Sequence, residues 1–191
     1  MGYWMRYRTG TTLALTAVTA TFLAACSDGA TAPEVAENVT ALLSVEPAAG
    51  SVAVSVDATV VVTFDHPIAE GMEEYADLHE GTVAGPIVPG EWTRSADGLT
   101  LSFAPEAPLK PSTTYVIHVG GDMMDEDGHL VDLGIHGHDM GGEWATPSMM
   151  GGGAGMGMGM GGQTGSHMGT GWQHPTNGSY GMVFTFTTAP A

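Results

Sequence analysis

The chain has 191 residues and a formal net charge of −17, because 21 Asp and Glu residues face only 4 Lys and Arg residues. A surface this acidic repels phosphate backbones, which argues against nucleic acid as a partner and favours cations. The single cysteine, Cys26, excludes an intrachain disulfide, and the 29 glycines and 13 methionines exceed ordinary usage.

The N-terminal segment indicates a secretion signal followed by a lipid-attachment site. Arg6 and Arg8 precede an apolar run over 11–25, which is too short to cross a bilayer but has the length of a secretory hydrophobic region. The run ends in Leu-Ala-Ala-Cys, with Cys26 as the last residue, and resembles the bacterial lipoprotein box. The resemblance implies that residues 1–25 are removed and that the Cys26 thiol is acylated. We therefore expect a lipoprotein of the bacterial cell envelope, anchored in a membrane by its N-terminal lipid and facing the periplasm or the cell surface.

After a polar segment at 26–40, which is predicted to be a flexible tether, the pattern changes to short strands separated by turn residues. This pattern predicts an all-β, immunoglobulin-like sandwich of about seven strands. An Asp97-Gly98 pair predicts a β-hairpin, and 69–76 is expected to form one helical turn at most. The predicted strands are 42–45, the alternating valines Val52, Val54 and Val56, then 59–64, 91–94, 100–103, 113–119 and 182–187.

Five separated motifs keep one order along the chain and resemble the SbsA-type bacterial Ig-like domain. The resemblance implies a cell-envelope module for display, spacing or adhesion, without common catalytic residues. It also implies that Tyr115, just after Leu-x-Pro, packs its ring in the core while its hydroxyl reaches the backbone. The motifs are Val-Glu-Pro-Ala-Ala-Gly at 45–50, Val-Val-Val-Thr-Phe at 60–64, Asp-Gly-Leu-Thr-Leu-Ser-Phe-Ala-Pro at 97–105, Leu-Lys-Pro-Ser-Thr-Thr-Tyr at 109–115 and Phe-Thr-Phe-Thr-Thr at 184–188.

The predicted domain, 41–188, consists of a core at 41–133 and 181–188 and a Gly/Met/His-rich insert at 139–180 before the last strand. Loops this long are usually functional or disordered. Glycine at every second position over 155–161 opposes both helix and strand, so we expect the insert to be disordered in the free protein.

Three interpretations of the insert stay open: a flexible low-complexity loop, a trap for soft metal ions, or an adaptable apolar surface for a partner. In the metal trap, the thioethers of Met156, Met158 and Met160 share one face of an extended chain and suit Cu(I). His167 follows within reach and adds an imidazole ligand.

A second candidate metal cluster lies upstream of the insert. Asp127 and His129 flank one glycine, and His136 and His138 flank another, so each pair shares one side of an extended segment. Imidazole with carboxylate suits Cu(II) and Zn(II). The alternative is that these side chains simply decorate an exposed turn.

The Asp-x-His element and the methionine-rich run are also similar to those of CopC-type periplasmic copper proteins, which are Ig-like sandwiches. That resemblance implies copper as a cofactor. Two features differ: the CopC-type family uses a mature N-terminal histidine where this chain would begin at Cys26, and its methionine loop lies elsewhere in the strand order.

No catalytic motif supports an enzyme, since the sequence contains neither a G-x-S-x-G elbow nor a P-loop lysine. The sequence therefore predicts a non-catalytic envelope lipoprotein with a structural or interaction role toward an envelope protein or polysaccharide. The alternative is a lipoprotein that binds or sequesters copper or another transition metal through the insert.

Overall fold

The computed structural model describes residues 39–151, 167 and 169–191. In this part of the chain, eight strands form two four-stranded antiparallel sheets, in the orders β1-β2-β5-β4 and β3-β6-β8-β7. The predicted all-β sandwich is confirmed.

No helix among these residues is long and apolar enough to cross a membrane. The strands are β1 Leu42–Glu46, β2 Val60–Phe64, β3 Ala76–Glu80, β4 Gly90–Arg94, β5 Thr100–Pro105, β6 Thr114–Val119, β7 Glu143–Trp144 and β8 Met182–Thr187; a 3₁₀ helix spans Met72–Tyr75 and a single α-helical turn, α1, spans Gly134–Gly137.

The core lies between the two sheets and takes every second side chain of the central strands. Strand β6 contributes Tyr115, Ile117 and Val119, and β8 contributes Phe184 and Phe186. This alternation follows from the two-residue repeat of an extended chain, and it is why 113–119 and 182–187 were predictable from sequence.

Tyr115 occupies the corner position that the family resemblance implies. Its ring is 2% exposed and stacks on Phe186 with ring centroids 5.6 Å apart. Its hydroxyl accepts a hydrogen bond of 2.8 Å from the backbone N–H of Lys110. The expected corner tyrosine is therefore confirmed.

The Asp97-Gly98 turn joins β4 to β5, as predicted. Gly98 has φ = +71°, a left-handed conformation that glycine adopts without a Cβ penalty. The Asp97 carboxylate accepts hydrogen bonds from Ser95 Oγ and from the Leu99 N–H, which closes the turn.

The predicted strand through Val52, Val54 and Val56 is wrong. Ala53 has φ = +56°, which breaks the extended conformation. Val54 makes only an isolated bridge to Thr188, and Val52 is 75% exposed. The apolar alternation reflects only that Val54 and Val56 pack against the core from a loop.

The helical turn expected within 69–76 is present as the 3₁₀ helix Met72–Tyr75. Two strands were not predicted, β3 immediately after this helix and β7 within the insert. Strand β3 forms one edge of the second sheet and β7 forms the other.

The second sheet buries its outer face as well as its inner face. Val116 of β6 and Val183 of β8 point away from the main core and form a separate buried cluster with Val83, Ala145 and Met150. Because Ala145 and Met150 belong to the insert, the insert covers this face of the sheet.

Both flanks of the insert are built into the domain, although the sequence analysis expected disorder throughout it. Strand β7 pairs with β8, and Ala145 exchanges backbone hydrogen bonds of 2.8 Å with Tyr180 and Gly181. The methionine-rich stretch 152–166 and residue 168 lie outside the described residues, so the expectation stays a prediction there.

Candidate metal centre

Three polar side chains lie together on the outer face of the second sheet. Asp77 of β3 is the cross-strand partner of His118 of β6, and His79 follows Asp77 by two residues, so all three side chains share one face. On an uncovered sheet they would contact water. Under the insert, His79 is 1% exposed and His118 is fully buried at 0%.

His167 reaches the same place from the insert. Its Nε2 contacts the carboxylate of Asp77, and its side chain is buried. Ligand atoms of Asp77, His79 and His167 all lie within 4.8 Å of one another. Across 39–151, 167 and 169–191, this is the one group of three or more His, Cys, Asp or Glu side chains that meets this distance.

In His79 and His118, a backbone carbonyl determines which ring nitrogen carries the proton. His79 Nδ1 lies 3.1 Å from the Gly85 carbonyl, and His118 Nε2 lies 2.6 Å from the Tyr180 carbonyl. Because a carbonyl oxygen only accepts, each of these nitrogens must donate. The lone pairs therefore lie on His79 Nε2 and His118 Nδ1, and neither atom has a hydrogen-bond partner among the described residues.

Burial disfavours the charged form of His118 and of His79. Burial lowers the pKa of His118 from 6.5 to about 3, against the opposing effect of the Tyr180 carbonyl, and the neighbouring His79 and His167 lower it further. Burial also lowers the pKa of His79, although the Gly85 carbonyl and the Asp77 carboxylate partly oppose it. A neutral imidazole binds a metal ion without first releasing a proton.

Trp172 closes the cluster on one side. Its ring centroid lies 4.6 Å from that of His118 and 4.3 Å from that of His167. Trp172 is 6% exposed, and its carbonyl accepts a hydrogen bond of 3.0 Å from the Gly121 N–H. The indole therefore separates the imidazoles from solvent, which strengthens any electrostatic interaction at the centre.

Residues 30–134, more than half of the chain, match the family model of the bacterial Ig-like domain. The chain belongs to this family. The match confirms the resemblance that the five sequence motifs indicated. No curated protein matches the chain.

Several solved structures resemble this bacterial Ig-like domain. The S-layer protein SbsC is 19% identical, with a TM-score of 0.37, over 50% of this chain and 12% of that chain. CopC from Methylosinus trichosporium OB3b is 13% identical, with a TM-score of 0.42, over 79% of this chain and 94% of that chain. PcoC from Escherichia coli, a methionine-rich copper resistance protein, is 20% identical, with a TM-score of 0.39, over 49% of this chain and 91% of that chain. At these TM-scores none of the three bears on what this Ig-like domain does.

Of the metal ligands predicted from sequence, only His167 lies in the group described above. Asp127 and His129 are exposed in a turn, where both backbone N–H groups bond to the Asp125 carboxylate. His136 and His138 are exposed around the helical turn α1, and His138 Nδ1 lies 3.1 Å from the Gly142 carbonyl. The structure therefore assigns this second cluster the geometry of a solvated turn, and its metal binding stays a prediction.

Four of the predicted residues lie outside the described part of the chain. They are the lipidation site Cys26 and the methionines Met156, Met158 and Met160.

Sequence reasoning missed Asp77, His79 and His118. Asp77 and His79 have the same Asp-x-His spacing that drew attention to Asp127 and His129, so a signal was available. It was overlooked because strand β3 itself was not predicted. His118 sits in a predicted strand, but only the cover of the insert distinguishes it from an ordinary solvent-facing histidine.

Proposed function

We propose that this Ig-like protein is a lipid-anchored, non-catalytic component of the bacterial cell envelope that binds a copper ion at Asp77, His79 and His167. One observation carries the proposal. The three side chains come from two distant parts of the sequence, yet their ligand atoms lie within 4.8 Å of one another, with both histidines buried and Asp77 half-buried.

A metal ion would resolve an energetic problem at this place. Buried polar atoms in folded proteins are nearly always paired, and leaving one unpaired costs roughly 1–3 kcal/mol. His79 Nε2 is buried and has no hydrogen-bond partner among the described residues. Coordination to an ion would use its lone pair.

The ligand types favour copper. Imidazole nitrogen with carboxylate oxygen suits Cu(II) and Zn(II), whereas Ca²⁺ and Mg²⁺ prefer oxygen ligands alone. For a given set of nitrogen and oxygen ligands, affinity among divalent first-row ions is highest for Cu²⁺. The net charge of −17 also raises the local concentration of cations around the protein.

The surroundings of the centre favour holding an ion rather than performing chemistry on a substrate. Trp172 packs against His118 and His167, and the sequence offers no nucleophile motif for a reaction beside them. We therefore assign the protein a role in capturing and retaining copper at the cell envelope.

Copper titration of the purified protein against a competing chelator tests this function. We expect one tightly bound Cu²⁺ per chain, with a dissociation constant of about 1 µM or tighter, and weaker binding after His79→Gln. His66→Gln is the matched control, because His66 is exposed and belongs to neither candidate metal cluster. Tighter binding of Zn²⁺ than of Cu²⁺ would reassign the metal. Equal affinity of the wild type and His79→Gln would refute the site.

The lipid anchor needs a separate test. Expression of the full chain in a bacterial host with a labelled fatty acid should label the wild type and place it in the membrane fraction. Cys26→Ala should abolish the label. An unlabelled wild type would refute lipid anchoring and leave the metal site untouched.

A further inference from the structure

We propose that His118 Nδ1 is a fourth ligand of the bound ion, so that one ion joins strand β3, strand β6 and the insert. This inference rests on the proposed metal function and extends its ligand set. It starts from the position of His118 directly opposite Asp77 in the register of β3 and β6.

The ring of His118 lies next to those of His79 and His167, although His118 is not part of the group whose ligand atoms lie within 4.8 Å of one another. The ring centroids of His79 and His167 are 5.2 Å apart, those of His118 and His167 are 5.8 Å apart, and those of His79 and His118 are 5.9 Å apart. Nitrogen–metal bonds of about 2.0–2.1 Å place the centroids of two coordinated imidazoles roughly 4.5–6.3 Å apart, from cis to trans positions around a tetragonal ion. The three observed spacings lie within this range, so one ion would be shared by the three rings once the His118 ring turns its Nδ1 toward it.

The hydrogen bond of His118 leaves the correct nitrogen available. Its Nε2–H is committed to the Tyr180 carbonyl at 2.6 Å, which fixes the ring orientation as outer-shell partners do at metal sites. Its Nδ1 is buried and has no hydrogen-bond partner among the described residues. His118 is 0% exposed, so bulk water does not supply the missing partner.

The fourth ligand changes the character of the site. Three imidazoles and the Asp77 carboxylate would make a four-coordinate shell of nitrogen and oxygen ligands that leaves no position for a substrate, unlike catalytic metal sites, which keep one position open. The ion would also tie His167, which belongs to the insert, to two strands of the sheet. Metal binding would therefore stabilise the insert on the outer face of the sheet.

Nuclear magnetic resonance of the full-length ¹⁵N-labelled protein, with Zn²⁺ as a diamagnetic probe, tests the ligand set without any substitution. We expect His79 Nε2 and His118 Nδ1 to move together to the chemical shift of metal-bound imidazole nitrogen at one equivalent of Zn²⁺. A shift at His79 alone would overturn the role of His118 and leave the metal function standing. The absence of any shift at saturating Zn²⁺ would overturn both.

Electron paramagnetic resonance with Cu²⁺ gives a second measurement. The wild type should show coupling to three imidazole nitrogens, the variant His118→Gln should show coupling to two, and the control His66→Gln should show coupling to three. We expect the affinity of His118→Gln to fall at least about 10-fold, because the loss of even an outer-shell partner of a metal ligand costs about 10–100-fold. If His118→Gln does not fold, as judged by circular dichroism, the wild-type spectrum decides alone, and coupling to only two imidazoles contradicts the proposal.

Discussion

Asp77 and His118 stand directly opposite each other in the antiparallel pair of β3 and β6. On a two-layer sandwich, both side chains would face solvent on the outer side of the sheet. Here the insert covers that side and brings His167 onto the Asp77 carboxylate. The described flanks of the insert thus turn an ordinary sheet face into a largely buried group of candidate metal ligands.

Replacing Asp77 by Asn should weaken copper binding about 10–100-fold, because an amide oxygen is a poorer ligand than a carboxylate. Asp127→Asn is the matched control, since Asp127 is an exposed acid in the other candidate cluster. Chelator competition with Cu²⁺ measures both variants. A large loss in Asp127→Asn with none in Asp77→Asn would move the site to the turn at 127–138.

Copper binding should quench the fluorescence of Trp172, whose ring centroid lies 4.3 Å from that of His167 and 4.6 Å from that of His118. Trp172→Phe should retain stoichiometric copper binding but lose most of the quenching. Trp92→Phe should keep the quenching, because Trp92 packs against Phe103 in the other sheet. Unchanged quenching in Trp172→Phe would show that the ion binds elsewhere.

Gly171→Ala should destabilise the domain by about 2–4 kcal/mol. Gly171 has φ = +90°, and a Cβ at this position would overlap the ring of Tyr75. Gly178→Ala is the control, because Gly178 has φ = +70° but no atom within 4 Å of the added Cβ; we expect it to lose only about 1–2 kcal/mol. Urea unfolding measures the free energy of unfolding of both variants. Equal losses would mean that the overlap of the added Cβ with Tyr75 costs no stability.

Tyr115→Phe should lower the unfolding free energy by about 1 kcal/mol, because the Lys110 N–H loses its 2.8 Å hydrogen bond to the hydroxyl while the ring stays in the core. Tyr180→Phe should cost less, since no hydrogen bond joins its hydroxyl to the described residues. Chemical denaturation measures the unfolding free energies of both variants, and an unchanged m-value would show that only stability has changed. If Tyr115→Phe leaves the unfolding free energy unchanged, the hydrogen bond from Lys110 to the tyrosine hydroxyl does not stabilise the domain.

Asp125 should make the stability of the metal-free protein depend on pH. Burial raises the pKa of this carboxyl, but hydrogen bonds from the His129 N–H and Thr40 Oγ1 outweigh it and hold the pKa below 3.8. Because the folded pKa lies below the unfolded value, this stabilisation is present above about pH 4 and is lost as the pH falls through the folded pKa.

Asp125→Asn tests this pH dependence. It should cost about 1–3 kcal/mol at pH 7, and its difference from the wild type should shrink below pH 4. Urea titrations at several pH values measure this difference, with the exposed Asp57→Asn as the control. A difference that stays constant down to pH 3 would contradict the assignment.

Much of the fold could be predicted from sequence because its strands carry their own pattern. The alternation of Tyr115, Ile117 and Val119 and that of Phe184 and Phe186 follow the two-residue repeat of a buried strand face. The predictions failed where tertiary contacts override local pattern. Val52 to Val56 alternates like a strand, but the left-handed Ala53 makes it a loop.

The candidate centre depends on contacts that no local pattern encodes. His167 was identified from its residue type and its position in the insert, but its partners Asp77 and His79 lie far away in sequence and meet it only through the packing of the insert. The exposed histidines His136 and His138 carry the same sequence signal without that packing. Residue type alone therefore does not separate a buried candidate ligand such as His167 from a surface histidine.

The amino-acid sequence by itself determined the sandwich class, its hairpin and the acidic surface, because each follows from short-range periodicity, turn chemistry or composition, and the family resemblance of its motifs implied the corner tyrosine. Only the tertiary structure decided that the outer face of the second sheet is buried and that His79, His118 and His167 converge there. The physical reason is that burial of a polar side chain depends on which distant segment covers it, and that cover is a property of the folded chain.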